Sequence, residues 1–252
     1  PSPPILLGGP VIFPLAQARS ALRAYADFAG DAPDDIYADA ALTTLPDGNR
    51  VLVIDTCYAG AIDAGEQAFA PIRKFGTPIV DAIAPTPYVK LQQTADQVLA
   101  RGRRYYVKGS LLREIDTAVS DSLVEGFAGL PPGVTVNFAD AGGAISRVAP
   151  TATAFWNRGA RWNLVCSAVW DNPADSEAGI AAGRRAYDIA EPYAKGFYVN
   201  DANLAERTQA QVDSNYGGNL ARLEKVKAQY DPANLFHLNA NVMPAGLIRA
   251  GT

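Results

Sequence analysis

Two side-chain amides near the carboxyl end of the sequence, Asn239 and Asn241, stand two residues apart. Residues two apart point to the same side of an extended chain, so both amides would share one face. Each amide carries a carbonyl acceptor and two N–H donors. Asparagines near turns also bond their own backbone, and that alternative stays open here.

The residue types that carry most hydrolytic and metal chemistry are sparse in this sequence. The single histidine, His237, follows the apolar pair Leu235 and Phe236, which favours a packed or hydrogen-bonded imidazole over a catalytic one. Cys57 and Cys166 lie in separate apolar runs without a Cys/His cluster, so we predict buried, inert thiols and no metal site, with a disulfide as the alternative. Phosphate-binding glycine loops, nucleophile-elbow serines and HExxH zinc motifs are also missing from the sequence.

A helix with a clear end precedes the two asparagines. Apolar residues recur there at three- and four-residue intervals and predict one apolar helix face: Tyr216, Leu220, Leu223, Val226 and Tyr230. Pro232 has no backbone N–H and disfavours helical dihedrals at Asp231, so the helix must end at this pair. The extended stretch that carries the asparagines therefore follows directly behind a helix.

The overall composition narrows the classes of partner. The chain has 252 residues, of which 48% are hydrophobic, and it can bury a substantial core. Its net charge of -4 argues against nucleic acid or an anionic membrane surface as a partner, because both attract basic proteins. No apolar run is long enough to span a bilayer.

The order of the predicted elements favours an α+β fold. Alternating or β-branched runs predict strands at residues 11–13, 36–42, 51–58, 105–110, 134–138, 144–148 and 162–170. Helical periodicity predicts helices at residues 15–29, 61–75, 112–130, 174–194 and 216–230, and residues 88–97 are predicted to be a loop or a short helix. Strands and helices do not alternate regularly. We therefore expect a large antiparallel sheet with helices packed on one face.

Several segments, taken in order, resemble one enzyme family. Residues 8–18 resemble the start of its substrate region, and residues 142–148 with Thr153 and Arg158 resemble its middle. Trp170 and residues 198–200 follow, and residues 216–244 resemble its carboxyl-terminal signature. The family is that of the berberine-bridge-enzyme-like FAD-linked oxidases, which are vanillyl-alcohol-oxidase-type flavoproteins. Three positions depart from its pattern and bear on cofactor contacts and substrate class: Asn157, Asp201 and His237.

The resemblance implies a division of the chain into two parts. Residues 1–195 would form a substrate-binding domain, and residues 196–252 a C-terminal berberine-like segment on the same core. The helix and extended tail of that segment would return to a flavin domain. The resemblance covers only these two portions, so we expect FAD to be bound mainly by an N-terminal domain missing from this chain, and the chain alone to be inactive.

The resemblance also implies roles for individual residues. Tyr198 is the expected catalytic base, since the family often places a tyrosine or a carboxylate opposite the flavin. Its phenol would need a cationic neighbour or a hydrogen-bond donor to act near neutral pH, and Lys108 or Arg158 is expected to provide it. Cofactor contacts are expected from Asn200, Asn239 and Asn241. The residues expected to line the substrate pocket are Tyr106, Lys108, Asn137, Trp156, Arg158 and Trp162. The competing interpretation is that the aromatic residues simply pack in the core.

The function implied is the oxidation of an alcohol or related C–H group of a small molecule. Hydride would pass to FAD, and oxygen would reoxidise the cofactor. The partners would be the small-molecule substrate and the FAD-binding domain of the same protein. The alternative function is a non-catalytic small-molecule-binding or scaffold protein that has lost its flavin domain.

Overall fold

One antiparallel sheet dominates the computed structural model, which describes residues 4–96 and 99–247. Within those residues the strands are β1 (Ile5–Pro14), β2 (Ile36–Thr44), β3 (Arg50–Tyr58), β4 (Val80–Asp81), β5 (Ala84–Pro87), β6 (Arg104–Leu112), β7 (Val134–Asp140) and β8 (Trp162–Trp170). Their order across the sheet is β4-β1-β3-β2-β7-β8-β6, and β5 pairs with β1. All strand pairings are antiparallel.

Three long helices cover one face of this sheet. The helices of the described residues are α1 (Leu15–Asp31), α2 (Ile62–Phe69), α3 (Tyr88–Gln92), α4 (Thr117–Ala128), α5 (Ala144–Arg147), α6 (Ser176–Ala190), α7 (Gln209–Tyr216) and α8 (Leu220–Tyr230). The buried side chains of α1, α4 and α6 join those of the central strands in one apolar core. The predicted α+β class, with helices packed on one face of a large antiparallel sheet, is confirmed.

The two faces of the sheet differ because side chains alternate along each strand. On β2, Ala38, Ala40 and Leu42 are buried under the helices, whereas Tyr37 and Asp39 point to the other side. We call that other side the open face. No long helix covers it within the described residues, so its polar side chains are available to a ligand or to another domain.

Residues after 196 build a second, smaller apolar cluster beside the sheet. It joins Phe197 and Ala202 to Val212 of α7 and to Ala240. Ala240 belongs to residues 231–247, which follow α8 and which we call the tail. The Tyr216 hydroxyl donates to the Ala240 carbonyl at 2.8 Å, which fixes the tail against α7. The division between residues 195 and 196 stays a prediction, and residues 248–252 of the predicted segment lie outside the described residues.

Several predicted elements are wrong in kind or extent. Residues 144–148, predicted to be a strand, contain helix α5. Gly143 precedes this helix as its N-cap and has a positive φ of 57°. The helix predicted from residue 112 begins at Thr117, because the Asp116 carboxylate accepts from the Val119 N–H at 2.8 Å and caps it. The helix predicted at residues 216–230 begins at Leu220.

Two further predictions are refined by the structure. The helix predicted at residues 61–75 contains α2, which ends at Phe69, followed by a separate 3₁₀ turn. Of residues 88–97, predicted to be a loop or a short helix, the first five form α3, whereas Gln97 lies outside the described residues.

The described part of the chain contains neither a membrane-spanning helix nor a metal-binding cluster. No helix there combines the length and the hydropathy needed to cross a bilayer. No group of three or more His, Cys, Asp and Glu side chains there has the geometry to hold a metal ion. Both cysteines are free thiols, with Cys166 in the core and Cys57 on the open face.

Candidate functional site

A row of polar side chains crosses the open face from β3 to β8. Asp55 on β3 is paired in register with Asp39 on β2. Asn137 on β7 and Asn163 on β8 continue along the same face. Neighbouring strands lie about 4.8 Å apart, so the row extends for roughly 14 Å. We call these four residues the polar row.

An open cavity of about 570 Å³ lies over the first part of the polar row. Strands β1, β2, β3 and β7 form its floor, and α3 and the residues after it form one wall. Its lining residues are Gly9, Pro10, Tyr37, Asp39, Asp55, Thr56, Cys57, Tyr88, Leu91, Gln92, Thr94 and Asn137. This volume is typical of small-molecule sites. No lysine, arginine or histidine is among the lining residues, so the cavity has two carboxylates and no fixed positive charge.

Asp39 is the most strongly perturbed carboxyl group of the cavity. The Tyr37 hydroxyl donates to its Oδ2, and the backbone N–H of Asp140 donates to its Oδ1 at 3.3 Å. Burial and the nearby charge of Asp55 raise the pKa of Asp39 to about 6, although the two hydrogen bonds oppose that shift. The pKa of Tyr37 is raised as well, by burial and by Asp39. Asp39 is therefore largely ionised at neutral pH at a cost to stability.

Asp55 completes the pair of carboxylates. Its side chain has neither a hydrogen-bond nor an ion-pair partner among the described residues. Partial burial raises the pKa of Asp55. The side chain of Asp55 is more exposed than that of Asp39, so burial perturbs the pKa of Asp39 more strongly. The next outward-facing residue of β3, Cys57, has a pKa raised by burial and is a thiol rather than a thiolate.

We expect Asp39→Asn to stabilise the protein at neutral pH. The carboxyl of Asp39 has a folded-state pKa of about 6, above its ordinary value of 3.8. Between these values the folded state binds more protons than the unfolded state, so wild-type stability falls as pH rises and stays reduced above 6. Asparagine keeps an acceptor for Tyr37 without a charge, and we expect a gain of about 1–2 kcal/mol. Chemical denaturation at pH 8 and pH 4 measures it.

The control for this prediction is Asp27→Asn, which changes an exposed carboxylate on α1. It should shift the free energy of unfolding by less than about 0.5 kcal/mol at either pH. A gain for Asp39→Asn that is equally large at pH 4 and pH 8 would contradict a titrating carboxylate as its cause.

The segment after α6 runs along the outer edge of β6 and reaches the far end of the polar row. The Gly109 N–H donates to the Asp201 carbonyl at 2.6 Å, and Asn163 Nδ2 donates to Asp201 Oδ2 at 2.9 Å. A Cβ atom at Gly109 would lie 2.9 Å from the Asp201 side chain, so only glycine allows this approach. Tyr198, on the same segment, is 41% exposed and accepts from Asn200 Nδ2 at 2.6 Å.

Tyr106 and Lys108, expected to bind substrate, lie on the helix-covered face of β6. Both donate to Glu206 Oε2, the hydroxyl at 2.8 Å and the ammonium at 2.9 Å. Arg184 of α6 donates to Oε1 at 3.0 Å. Burial would raise the pKa of Glu206, but hydrogen bonds from Lys108, Tyr106 and Arg184 outweigh it and hold that pKa at about 2. We call these residues the Glu206 cluster, and its position is behind the sheet, away from the polar row.

Trp162, Trp156 and Arg158, also expected to line the pocket, are separated from the cavity. Trp162 is 2% exposed and packs against Tyr25 in the core, with ring centroids 5.3 Å apart. Trp156 packs against the turn before α8, where a Cβ atom at Gly217 would lie 2.3 Å from its indole. Arg158 donates to three oxygens of its own loop, those of Phe155, Ile145 and Thr153. Of the six expected substrate residues, Asn137 lines the cavity.

The expected cofactor residues occupy one corner of the molecule. Ala240, beside Asn241, belongs to the small cluster that contains Phe197, beside Tyr198. Asn241 is 8% exposed, and its backbone carbonyl accepts from Gln209 Nε2 at 2.8 Å. Asn200 and Asn239 are exposed. The tail therefore brings Asn241 close to the segment of Tyr198.

Sequence reasoning missed Tyr37, Asp39 and Asp55. A signal for them existed, because charged residues stand at outward positions of two strands whose other residues are mostly apolar. A carboxylate in the middle of a largely apolar strand is uncommon, because burying a charge costs free energy unless the charge is paired or bound. The register that places the two aspartates side by side was not visible in the sequence.

Known proteins resemble this chain in sequence and in fold. Residues 197–243 match the sequence model of the family described as "Berberine and berberine like". An FAD-linked oxidoreductase of Dictyostelium discoideum is 24% identical over 241 residues, covering 94% of this chain and 51% of that protein. The chain is similar to berberine bridge enzyme-like FAD-linked oxidoreductases. The resemblance predicted from the sequence is confirmed.

Further comparisons define how far this berberine bridge enzyme-like relationship extends. The uncharacterized FAD-linked oxidoreductase YvdP of Bacillus subtilis is 36% identical over 110 residues, 43% of this chain and 24% of that protein. The solved structure of berberine bridge enzyme-like protein 28 from Arabidopsis thaliana shares the fold, with a TM-score of 0.79 at 16% identity. That match covers 95% of this chain and 56% of the other. The chain thus spans about half the length of the Dictyostelium protein and of berberine bridge enzyme-like protein 28.

Proposed function

We propose that this chain provides the substrate-facing half of an FAD-dependent oxidoreductase that oxidises an alcohol or related C–H group of a small molecule. The observation that carries the proposal is the open face, where a cavity of about 570 Å³ and a polar row lie on an otherwise apolar sheet. A purely structural sheet face would be covered or uniformly solvated. The relationship to FAD-linked oxidoreductases supports a redox role for that face.

Exposed apolar side chains at the end of α8 and in the tail support the FAD-binding domain of the same protein as a partner. Tyr230, Leu235, Phe236 and Leu238 are all at least 71% exposed, and Leu238 reaches 93%. Contiguous exposed apolar groups of this kind mark a surface that another element covers. We infer that the tail packs on that domain and carries Asn239 and Asn241 to it.

Asn241 fits a contact with the cofactor. Its Oδ1 is buried and has no hydrogen-bond partner among the described residues, while its Nδ2 donates to Met243 Sδ at 3.2 Å. A buried carbonyl without a donor costs free energy, and an N–H from a flavin ring would satisfy it. Asn200 and Asn239 offer exposed amides at the same corner. When bound, FAD accepts the hydride from substrate and is reoxidised by oxygen.

Tyr198 is the proposed proton acceptor. Its hydroxyl oxygen accepts from Asn200 Nδ2 at 2.6 Å, which fixes the orientation of the phenol. The expected cationic neighbours do not serve it, since Lys108 binds Glu206 and Arg158 binds its own loop. The segment of Tyr198 lies at the far end of the polar row, so a substrate that reaches Tyr198 would extend along the row, with Asn137 and Asp39 orienting its other end.

The test uses protein expressed from the complete gene. We expect it to show a flavin absorption spectrum that is bleached anaerobically by substrate and restored by oxygen with release of hydrogen peroxide. Tyr198→Phe should lower kcat by about 10²-fold with the flavin still bound, as expected for loss of a general base. Tyr193→Phe, which removes a hydroxyl that donates to the Ala118 carbonyl at 3.4 Å on the helix side of the sheet, is the matched control.

Three outcomes count against parts of this proposal. A complete protein without flavin would favour the non-catalytic binding or scaffold role. An unchanged kcat for Tyr198→Phe would remove Tyr198 as the base. Tight, stoichiometric retention of FAD by the 252-residue chain alone would contradict the placement of most cofactor contacts in another domain.

A further inference from the structure

We propose that the cavity over Asp39 and Asp55 recognises an organic cation, so that the substrate carries an ammonium group that is held there, apart from the C–H bond that is oxidised. This inference rests on the proposed function and narrows its substrates to small molecules that carry such a cation. The argument uses the charge, shape and wall chemistry of the cavity.

The charge of the cavity is uncompensated. Asp39 and Asp55 stand side by side on neighbouring strands, and neither forms an ion pair within the described residues. Arg161, whose partner Asp140 follows the outward residues of β7, donates to that carboxylate at 2.7 Å and to the Ala29 carbonyl, so it forms its ion pair outside the cavity. A carboxylate pair held together without a cation repels an anionic ligand and attracts a cationic one.

The walls of the cavity suit the organic part of such a cation. Tyr37 and Tyr88 present aromatic rings, and Leu91 of α3 adds an aliphatic surface. Aromatic faces attract ammonium groups, and an apolar wall accepts a ring or an alkyl chain. Asn137 lies across the floor and offers an amide for a second polar group of the ligand. The combination of paired carboxylates and apolar walls favours an arylalkyl amine over a sugar or an acid.

The same geometry makes binding depend on pH. The titratable or charged groups that face Asp39 are Tyr37 on β2, Asp55 and Cys57 on β3, Asp140 on β7 with its partner Arg161, and Tyr88 on α3. Among them Asp39 has a pKa of about 6, so it gains a proton as pH falls from 7.5 to 5. An aliphatic ammonium stays protonated throughout this range, as a lysine side chain does. Binding should therefore weaken toward pH 5 because the cavity, and not the ligand, changes charge.

Calorimetric titration of the purified protein with benzylamine, benzyl alcohol and benzoate tests the proposal. At pH 7.5 we expect benzylammonium to bind at least about tenfold more tightly than benzyl alcohol, and benzoate not to bind. Asp55→Asn and Asp39→Asn should each weaken benzylammonium binding by about tenfold. Asp27→Asn, at an exposed position on α1, should leave it unchanged. The affinity for benzylammonium should fall several-fold between pH 7.5 and pH 5.

Equal affinity for benzyl alcohol, or undiminished binding by Asp55→Asn, would overturn the proposal. Far-ultraviolet circular dichroism of each variant establishes that it is folded before binding is interpreted. The outcome is separable from that of the proposed function. A flavin oxidase whose cavity ignores benzylammonium refutes only the substrate class, whereas selective benzylammonium binding by a protein without flavin supports the cation site and refutes the redox role.

Discussion

Trp162→Ala should lower the free energy of unfolding by about 3–5 kcal/mol, which is the typical cost of truncating a buried aromatic side chain. Trp162 faces the helices from β8, is 2% exposed and packs against Tyr25. The guanidinium of Arg161 lies over its ring, 5.6 Å from the centroid. Alanine would leave a cavity between the sheet and α1 that such a close-packed core fills only in part. Chemical denaturation followed by fluorescence or circular dichroism measures the loss.

Two further variants make this prediction specific. Trp162→Phe keeps an aromatic ring and should cost about 1–2 kcal/mol. Tyr230→Ala removes an aromatic side chain that is 78% exposed and should change stability by less than about 0.5 kcal/mol. If Trp162→Ala lost substrate binding with little loss of stability, Trp162 would be a pocket residue as the sequence suggested, and its assignment to the core would be wrong.

Glu206→Gln should destabilise the protein by about 2–3 kcal/mol at neutral pH. The side chain of Lys108 is 13% exposed and has Glu206 as its ion-pair partner, so the substitution would leave a nearly buried ammonium without a counter-ion. The amide keeps one acceptor oxygen, so either Arg184 or Tyr106 would face an NH₂ donor in place of an acceptor. Because Glu206 belongs to the 3₁₀ turn Leu204–Glu206, just after the segment of Tyr198, its loss would also loosen that segment.

The pH dependence of stability tests the same cluster with the opposite sign from Asp39. The pKa of Glu206 is about 2 in the folded state, against an ordinary value of 4.5. The stabilisation is therefore complete above 4.5 and is lost as pH falls through about 2. The difference in stability between wild type and Glu206→Gln should shrink over that range.

A surface glutamate provides the control for the Glu206 cluster. Glu125→Gln removes an ion pair with Arg19 at 3.6 Å in which the glutamate side chain is 79% exposed. Such pairs contribute less than about 1 kcal/mol, so we expect a change near the error of the measurement. A loss for Glu206→Gln no larger than that for Glu125→Gln would show that the cluster does not hold the segment in place.

Predictions from periodicity succeeded where local chemistry decides the structure. The pair Asp231 and Pro232 ends α8 as predicted, because proline cannot continue the hydrogen-bond ladder. The start of that helix was wrong, since Gly217 takes a positive φ of 50° against the ring of Trp156 and separates α7 from α8. That break depends on a tryptophan some sixty residues earlier, which no local pattern reports.

The prediction of site residues is limited in the same way, because contacts between distant segments are not visible in a local sequence pattern. Alternation along β6 predicts that Tyr106 and Lys108 share a face, but it does not say which face the helices cover. The structure puts both on the helix side with Glu206, at a sequence distance of about one hundred residues. Asn137 was selected and does line the cavity, although its neighbours there were not predicted.

The sequence by itself determined the α+β class, most of the strands and helices and the kinship with FAD-linked oxidoreductases, because these follow from periodicity, turn chemistry and motif order along the chain. Only the tertiary structure decided that Asp39 stands beside Asp55 over an open cavity and that Trp162 lies in the core. The reason is that strand register and the covered face are set by contacts between distant segments. Those contacts are made by the folded sheet as a whole, and no stretch of the chain encodes them alone.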